Sequence, residues 1–446
     1  MTLRIVLVRH GLSSFNLEHR IQGRDDLSSL SEEGRLQARR TGEALRDLPF
    51  DRAFTSPLRR ARDTAIELLA AHGQGLTAQA HEGLLEIDLA PWSGLLRKEL
   101  AQLHPEQERR WRESPESLIL QRSNGQPYNP VAELLQQAGQ FWSELLSNQD
   151  GGFAARDQTL LVVAHNAILR CLLISLLKLP LSSFRRLRVD NASISVLNLN
   201  GNSAEDRAVQ IESLNGTTHL GAPIPPGSRG PRLVLVRHGE TDWNRQGRFQ
   251  GQIDIPLNAT GRDQAEAAGR FLASITLHRA YSSAMARPRQ TAELILACHP
   301  GVPLTTTSGL IEIGHGLWEG RLEQDIAESW PGLLADWKRA PETVEMPEGE
   351  TIHQVWERSL ATWSTIAASL GDQEIALVVA HDAVNKVIIC ALLGLTPADI
   401  WTIKQGNGAV TVIDYPRGAH LDPVVSAINL TAHLGGVLDR TAAGAL

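Results

Sequence analysis

The sequence is poor in cysteine, in positive charge and in long apolar runs, and each shortage excludes a class of protein. Its three cysteines, Cys171, Cys298 and Cys390, are scattered through 446 residues, which suits neither a disulfide framework nor a zinc site. A net charge of −7 gives no indication of the basic face that nucleic-acid binding requires. No apolar run approaches the roughly 20 residues that span a bilayer. We therefore expect neither a nucleic acid nor a membrane as a partner.

The first residues of the chain, MTLRIVLVRH, are not typical of a targeting segment. They lack the apolar stretch of a signal peptide and the Arg- and Ser-rich pattern of a transit peptide. We therefore predict a cytoplasmic protein. Because its overall charge is negative, any site for an anionic ligand must gather positive charge locally.

The same series of motifs occurs twice along the chain. LRIVLVRHGLSSFN returns as PRLVLVRHGETDWN, DRAFTSPLRRARDTA as HRAYSSAMARPRQTA, and LLVVAHNA as LVVAHDA. The motifs keep their order, which points to one scaffold used twice with loops of different length. The chain is also long for a single hydrophobic core. We predict two tandem domains, residues 1–220 and 232–446, joined by a proline- and glycine-rich linker over residues 221–231.

Short apolar runs alternate with helical patterns in each copy. IVLV, LVLV, LLVVA and ALVVA are typical of strands that are covered on both faces. SEEGRLQARRTGEALRDL predicts a helix, and its second-half equivalent is expected to begin with Thr260 as the N-cap. The alternation predicts an α/β fold of two tandem three-layer α/β/α domains, each with a mostly parallel sheet. Sites in such sheets form at the carboxyl ends of strands, which is where His10, Arg60 and His165 fall.

These motifs resemble the histidine phosphatase, or phosphoglycerate mutase-like, superfamily. The resemblance covers both halves and nearly the whole chain. It rests on Arg-His-Gly after the first strand, RARDTA and its counterpart RPRQTA, Leu-x-Glu before Trp-x-Gly, and a late Val-Val-Ala-His. It implies a phosphoglycerate mutase-like fold and a set of site residues in each half. In the first half these are the nucleophile His10, the phosphate-binding Arg9, Arg60 and His165, the further donor Asn16 and the proton donor Glu86. In the second half the same roles fall to His238, Arg237, Arg287, His381, Asn244 and Glu312.

The chemistry of phosphoryl transfer gives a physical reason for this set of residues. Charge spreads over three phosphoryl oxygens, and two arginines with two histidines supply positive charge without a metal or cofactor. Histidine can be neutral and nucleophilic near pH 7, and the leaving alkoxide needs a proton from a carboxylic acid. Glu86 is preferred to Glu82 and Asp88 because it alone is matched by a carboxylate, Glu312, in the second copy. We predict a metal-independent phosphatase that acts on a small phosphorylated metabolite through a phosphohistidine.

The first half carries a narrower resemblance and two features with alternative interpretations. RHGLSSFN with RIQGRDDLSSLSEEG resembles the N-terminal domain of the tandem 2-carboxy-D-arabinitol 1-phosphate phosphatases, which implies a sugar-acid phosphate as substrate. The basic segment from Arg97 to Arg122 is either a solvated helix face or an insertion that binds a second anionic group. Histidines without a repeated partner are expected at the surface; they are His19, His72, His81, His104 and His353. Trp92 and Trp318 are expected to serve aromatic packing rather than to wall the pocket.

Two other functions remain open at this point. One is a phosphoglycerate-type phosphomutase, which would return the phosphate to a substrate. The other makes one half catalytic and the other a structural or ligand-sensing module. The natural substrate and the oligomeric state cannot be read from the sequence.

Overall fold

A computed structural model describes residues 2–147, 157–201 and 208–442 of the chain. The chain divides into two compact units, Met1–Ala222 and Pro223–Leu446. Ile224, within the proline-rich segment, is 3% exposed and packs in the hydrophobic core of the second unit. The segment after Ala222 is therefore anchored to the unit that follows it.

The first unit is built on a mixed sheet with strand order β8-β7-β1-β6-β2-β3. The pairs β1–β6, β6–β2 and β2–β3 are parallel, whereas the pairs β1–β7 and β7–β8 are antiparallel. A separate short hairpin pairs β4 with β5. The strands are β1 (Thr2–Arg9), β2 (Arg52–Thr55), β3 (Gln79–Ala80), β4 (Leu120–Gln121), β5 (Pro127–Tyr128), β6 (Gln158–Ala164), β7 (Ile194–Asn200) and β8 (Ala208–Gly216).

The helices of the first unit pack as two main pairs, α2 with α3 and α6 with α7, which completes the predicted three-layer α/β/α arrangement. Helix α2 begins where the Ser31 hydroxyl accepts the Gly34 amide at 3.0 Å, as an N-cap does. Helix α7 is apolar on nearly all sides because it is buried between the sheet and α6. The helices are α1 (Ser14–Leu17), α2 (Glu32–Ala44), α3 (Arg59–His72), α4 (Arg97–Leu103), α5 (Pro105–Glu113), α6 (Pro130–Leu146) and α7 (Asn166–Leu177).

The second unit repeats this plan with strand order β11-β10-β12-β9-β13-β14. The pairs β11–β10, β10–β12 and β12–β9 are parallel, whereas the pairs β9–β13 and β13–β14 are antiparallel. Its strands are β9 (Arg232–Arg237), β10 (Arg279–Ser283), β11 (Leu304–Thr307), β12 (Ile375–Ala380), β13 (Val410–Asp414) and β14 (Val424–Leu430). Its helices are α8 (Asp242–Gln246), α9 (Ala259–Leu272), α10 (Ala286–Leu296), α11 (Glu323–Ser329), α12 (Pro331–Arg339), α13 (Ile352–Ala368) and α14 (Asp382–Leu393).

Two local predictions from the sequence are wrong. Helix α9 is capped by Asn258 rather than Thr260, because the Asn258 side chain accepts the Gly261 amide at 2.8 Å. His72 is buried rather than at the surface. Its Nε2 lies 3.1 Å from the Leu48 carbonyl, and its ring packs on Phe50.

Other predictions about packing are confirmed. Trp92 and Trp318 are fully buried in aromatic clusters. Within the described ranges, none of the helices combines the length and apolar character needed to cross a bilayer. The cytoplasmic location stays a prediction.

Candidate active site

The parallel strands of the first unit bring three segments to one edge of the sheet. His10 follows β1, Ser56 follows β2 and His165 follows β6, and parallel strands present their carboxyl ends together. A cavity of about 400 Å³ opens at this edge. The predicted site residues that line it are Arg9, His10, Asn16, Arg60 and Glu86.

His10 is held as a neutral imidazole with one nitrogen free to attack. Its Nδ1 lies 2.7 Å from the Gly11 carbonyl oxygen, which can only accept, so Nδ1 carries the proton and Nε2 keeps its lone pair. Burial, then Arg60 and Arg9, lowers the pKa of His10 well below its usual value. Gly11 allows α2 to approach the chain beside His10 closely, because an added Cβ would overlap the Gly34 backbone of α2.

His165 stands beside His10, with the two ring centroids 5.2 Å apart and the rings inclined at 61°. Its Nε2 lies 2.8 Å from the Ser56 hydroxyl, and its buried Nδ1 has no partner among the described residues. Burial, then Arg60, lowers the pKa of His165 well below its usual value. A buried nitrogen without a partner is costly. His165 is fully buried beside His10 and is not among the residues that line the cavity.

Arg9 and Arg60 bring two positive charges to the cavity, and no carboxylate of the described chain forms an ion pair with either. Arg9 Nη1 donates to the Val189 carbonyl at 2.8 Å, and Arg60 Nη2 donates to the Gly23 carbonyl at 2.9 Å. Both Nε atoms are buried without a partner in the described ranges. Burial lowers the pKa of Arg9 to about 10, which still leaves the group cationic at neutral pH. The two carbonyls hold both guanidinium groups in place, and each group keeps N–H donors that could bind an anion.

Glu86 lies at the N-terminal end of α7. Its Oε1 accepts the amides of Ile87 at 2.9 Å and of Ala167 and Ile168 at 3.2 Å each. Of its two competitors, Glu82 is exposed, and Asp88 is paired with an arginine of the β4–β5 hairpin at 3.0 Å. Glu86 is the one of the three that lines the cavity.

Asn16 is oriented by its own loop. Its Oδ1 accepts the Ser13 amide at 3.2 Å and the Asn191 side chain at 3.1 Å. The Asn16 amide group therefore has its oxygen occupied and its NH₂ left to donate toward the cavity.

Three residues that hold the site residues in place were not predicted from the sequence. Ser56 holds His165, the Thr64 hydroxyl accepts the Gly11 amide at 3.0 Å, and Asn191 Nδ2 donates to the His10 carbonyl at 3.0 Å. The signal was present, because each recurs in the second copy in the same role. The recurring residues are Ser283, Thr291 and Asn407.

The second unit brings its predicted residues together in the same way. His238 Nδ1 lies 2.7 Å from the Gly239 carbonyl, and the His238 and His381 centroids are 5.2 Å apart. His381 Nε2 lies 2.9 Å from the Ser283 hydroxyl. Asn244 Oδ1 accepts the amide of its N-cap threonine at 3.1 Å. As in the first unit, burial is the main reason that the pKa values of His238 and His381 lie well below their usual value.

The two sites differ in how their charges are balanced. The second unit has Asp382 where the first has Asn166, and its carboxylate lies 3.0 Å from Lys386 Nζ and 3.9 Å from Arg237 Nη1. Burial, then Asp382, raises the pKa of Glu312, which accepts the Asp382 amide at 3.0 Å.

His238, the predicted nucleophile of the second unit, also has a contact that His10 lacks. Arg287 Nε donates to His238 Nε2 at 3.3 Å, whereas Arg60 Nε has no partner among the described residues. The lone pair that would attack phosphorus is therefore engaged in the second unit and free in the first.

Within the described ranges, no three His, Cys, Asp or Glu side chains are grouped so as to hold a metal ion. Metal-independent chemistry stays a prediction from the motif.

A family model described as "Histidine phosphatase superfamily (branch 1)" matches residues 5–211 and 233–427. The chain is 30% identical to the "Probable 2-carboxy-D-arabinitol-1-phosphatase" of Arabidopsis thaliana, over 97% of this chain and 88% of that protein. It is 28% identical to the 2-carboxy-D-arabinitol-1-phosphatase of Triticum aestivum, over 97% of this chain and 86% of that protein. It is also 31% identical to phosphoserine phosphatase 1 of Hydrogenobacter thermophilus, over 46% of this chain and 94% of that protein.

Proposed function

The chain belongs to the histidine phosphatase superfamily and is a phosphoric monoester hydrolase; from that premise we propose that its first half hydrolyses a small phosphomonoester through a phosphohistidine on His10. One observation carries the proposal: the free Nε2 lone pair of His10 lies at a cavity that Arg9 and Arg60 also line. A neutral nucleophile flanked by cations is what transfer of an anionic phosphoryl group requires.

In the first step His10 Nε2 forms a bond to phosphorus as the bond from phosphorus to the alkoxide oxygen breaks. Arg9 and Arg60 neutralise the charge on the peripheral oxygens, and the neutral His165 ring beside His10 contributes a hydrogen bond. Glu86, in its protonated form, gives its proton to the leaving oxygen, so the product leaves as an alcohol. The hydrogen bond from Nδ1 to Gly11 supports this step because it holds the imidazolium-like ring that develops.

In the second step water attacks the phosphohistidine. The Glu86 carboxylate takes a proton from the water, the phosphorus–nitrogen bond breaks, and inorganic phosphate leaves. His10 regains its lone pair and Glu86 its proton. Splitting the reaction in this way replaces one difficult displacement with two easier ones.

The proposed substrate is a sugar-acid phosphate, with 2-carboxy-D-arabinitol 1-phosphate as the leading candidate. Two plant proteins named for that phosphatase match 97% of this chain at 30% and 28% identity, so the similarity extends over both halves. The departures of the first half from the second, such as Leu12 and Ser13 in place of Glu240 and Thr241, leave the central set of residues intact.

We also propose that the two halves divide the work, with the first half as the main catalyst and the second as a weaker or ligand-sensing site. The engaged His238 and the Asp382 carboxylate near Arg237 support this, because both compete with an incoming phosphate.

The test is phosphate release from 2-carboxy-D-arabinitol 1-phosphate by the full-length chain and by its separate His10→Ala and His238→Ala variants. We expect His10→Ala to lose at least about 1,000-fold in kcat, as removal of a covalent nucleophile does, and His238→Ala to keep most of it. Near wild-type turnover in His10→Ala would overturn the assignment to the first half. Incubation with 3-phosphoglycerate and 2,3-bisphosphoglycerate separates hydrolysis, which releases phosphate, from a phosphomutase, which interconverts the isomers.

A further inference from the structure

Arg170 is a cation on the cavity wall of the first unit that makes no hydrogen bond or ion pair with any described residue. It lies on α7, one turn after the amides that hold Glu86, and lines the cavity. Its Nε is buried without a partner in the part of the chain that the structure describes, and its Cζ lies 5.4 Å from the centre of the Phe184 ring. A partly buried guanidinium without an anion is an unfavourable arrangement unless a ligand supplies one.

Four further arginines line the same cavity beyond the phosphate-binding set: Arg20, Arg97, Arg112 and Arg185. Arg20 is paired with Glu18 at 2.6 Å and Arg112 with Glu113 at 3.2 Å. Arg97 also makes no side-chain hydrogen bond or ion pair within the described ranges. Arg185 is fixed in place by stacking on the Trp111 ring at 4.6 Å and by donating from Nε to the Trp111 carbonyl at 3.1 Å. Seven arginines and two glutamates, Glu86 and Glu108, thus line the cavity, although the chain as a whole is negative.

The corresponding positions of the second unit do not offer this charge. Lys386 stands at the position of Arg170 and is paired with Asp382 at 3.0 Å. Lys338 stands at the position of Arg112 and is paired at 2.6 Å with Glu323, which itself replaces Arg97. Trp401 replaces Arg185. The two halves share the residues proposed for phosphoryl transfer, so the charge of Arg170 and Arg97, which no described carboxylate pairs, serves the ligand of the first half and not the shared chemistry.

We propose that Arg170, with Arg97 and Arg185 beside it, forms a second anion subsite, so that the substrate of the first half carries a carboxylate or second phosphate in addition to the phosphate that is transferred. This inference rests on the proposed hydrolysis at His10 and names the residue that selects among phosphomonoesters. A planar guanidinium binds a carboxylate through two parallel hydrogen bonds, which suits a sugar acid. Burial and then Arg185 lower the pKa of Arg170 to about 9, so it remains cationic at neutral pH.

The test measures dissociation constants by calorimetry in a full-length His10→Ala/His238→Ala background, where the ligands are not consumed. Three ligands are compared: 3-phosphoglycerate, glycerol 3-phosphate, in which a hydroxymethyl group replaces the carboxylate, and propane-1,3-diol bisphosphate. Arg170→Met removes the charge and keeps apolar contact with Phe184. Arg170→Lys keeps a charge without the fork. Arg109→Met, on the exposed face of α5, controls for the loss of one positive charge elsewhere.

We expect Arg170→Met to weaken 3-phosphoglycerate binding by about 10- to 100-fold, the range for a lost charge-assisted hydrogen bond. Glycerol 3-phosphate should change by less than about threefold, and Arg109→Met should change neither ligand. Arg170→Lys should recover part of the loss. If Arg170→Met weakens bisphosphate binding as much as 3-phosphoglycerate binding, the subsite accepts anions in general. If it weakens bisphosphate binding less, the subsite is specific for a carboxylate.

Equal weakening of all three ligands, or a parent protein without preference for the doubly anionic ones, would overturn the subsite. Neither outcome would argue against the proposed phosphohistidine on His10, because that proposal is tested separately by the turnover of His10→Ala. Conversely, turnover that survives His10→Ala would overturn the catalytic assignment even if Arg170 governs binding.

Discussion

Replacing Asn166 with aspartate would transfer the charge balance of the second site into the first. Asn166 begins α7, lines the cavity and donates from Nδ2 to the Val189 carbonyl at 3.0 Å. In the second unit the aspartate at this position lies 3.9 Å from Arg237, the counterpart of Arg9. Asn166→Asp therefore places a carboxylate close to the arginine that we expect to hold the phosphate.

The size of the effect follows from Coulomb's law. Two like unit charges about 6 Å apart repel by about 3 kcal/mol at an effective dielectric constant of about 20. Water and counterions in an open cavity reduce this, so we expect substrate binding to weaken by roughly ten- to a hundredfold. The loss should shrink as salt is added, because mobile ions screen the added charge.

The assay is steady-state phosphate release by the full-length chain in a His238→Ala background, at low and high ionic strength. Asn166→Ala is the matched control, since it removes the hydrogen bond to Val189 without adding charge. The reciprocal change, Asp382→Asn, should strengthen phosphate binding at the second site. If Asn166→Asp and Asn166→Ala had the same KM at every salt concentration, the electrostatic explanation of the difference between the halves would be refuted.

Two further predictions concern stability. The pKa values of His10 and His165 are held well below the usual value by burial, so both histidines stay neutral in the folded state while the unfolded chain takes up protons below about pH 6.5. The free energy of unfolding of the first half should therefore decrease as the pH is lowered, by about 1.4 kcal/mol per histidine for each pH unit below about 6.5. Urea titrations measure this change. A free energy of unfolding that is the same at pH 7 and pH 5.5 would contradict the prediction. In the second half, Asp414 accepts two hydrogen bonds from buried Arg232, at 2.7 and 2.9 Å. Asp414→Ala should destabilise that half by about 3–5 kcal/mol in denaturant titrations because it leaves a buried cation unpaired, and a change below about 1 kcal/mol would show that the pair is dispensable.

Much of the fold could be predicted because local pattern and repetition agree. Branched apolar runs fix the strands, alternation with helices fixes the sheet type, and the second copy confirms each element. The errors were local. Thr260 and Asn258 are both acceptable N-caps by residue type, and only the observed hydrogen bond to Gly261 separates them.

The basic segment of the first half shows where prediction from sequence stops. Arg97 and Arg112 line the cavity, whereas Arg109 and Arg110 pair with Glu106 on an exposed helix face. The solvated-face interpretation therefore describes Arg109 and Arg110, whereas binding of a second anionic group by the arginines at the cavity stays a proposal. Which side chain faces the cavity depends on how α4 and α5 lie against the rest of the unit, and that packing is not encoded in charge pattern alone.

The residues proposed for phosphoryl transfer in each half could be chosen from the sequence alone, because the chemistry restricts them to a few types and the repeat displays them twice. Their hydrogen-bond partners, their burial and the pairing of their charges could be seen only in the folded chain. The free nitrogen of His10, the uncompensated charge of Arg170 and the pairing of Asp382 with Lys386 depend on hydrogen bonds and ion pairs. Such contacts, and the burial that shifts a pKa, exist only once the chain has brought distant residues within a few ångströms of each other.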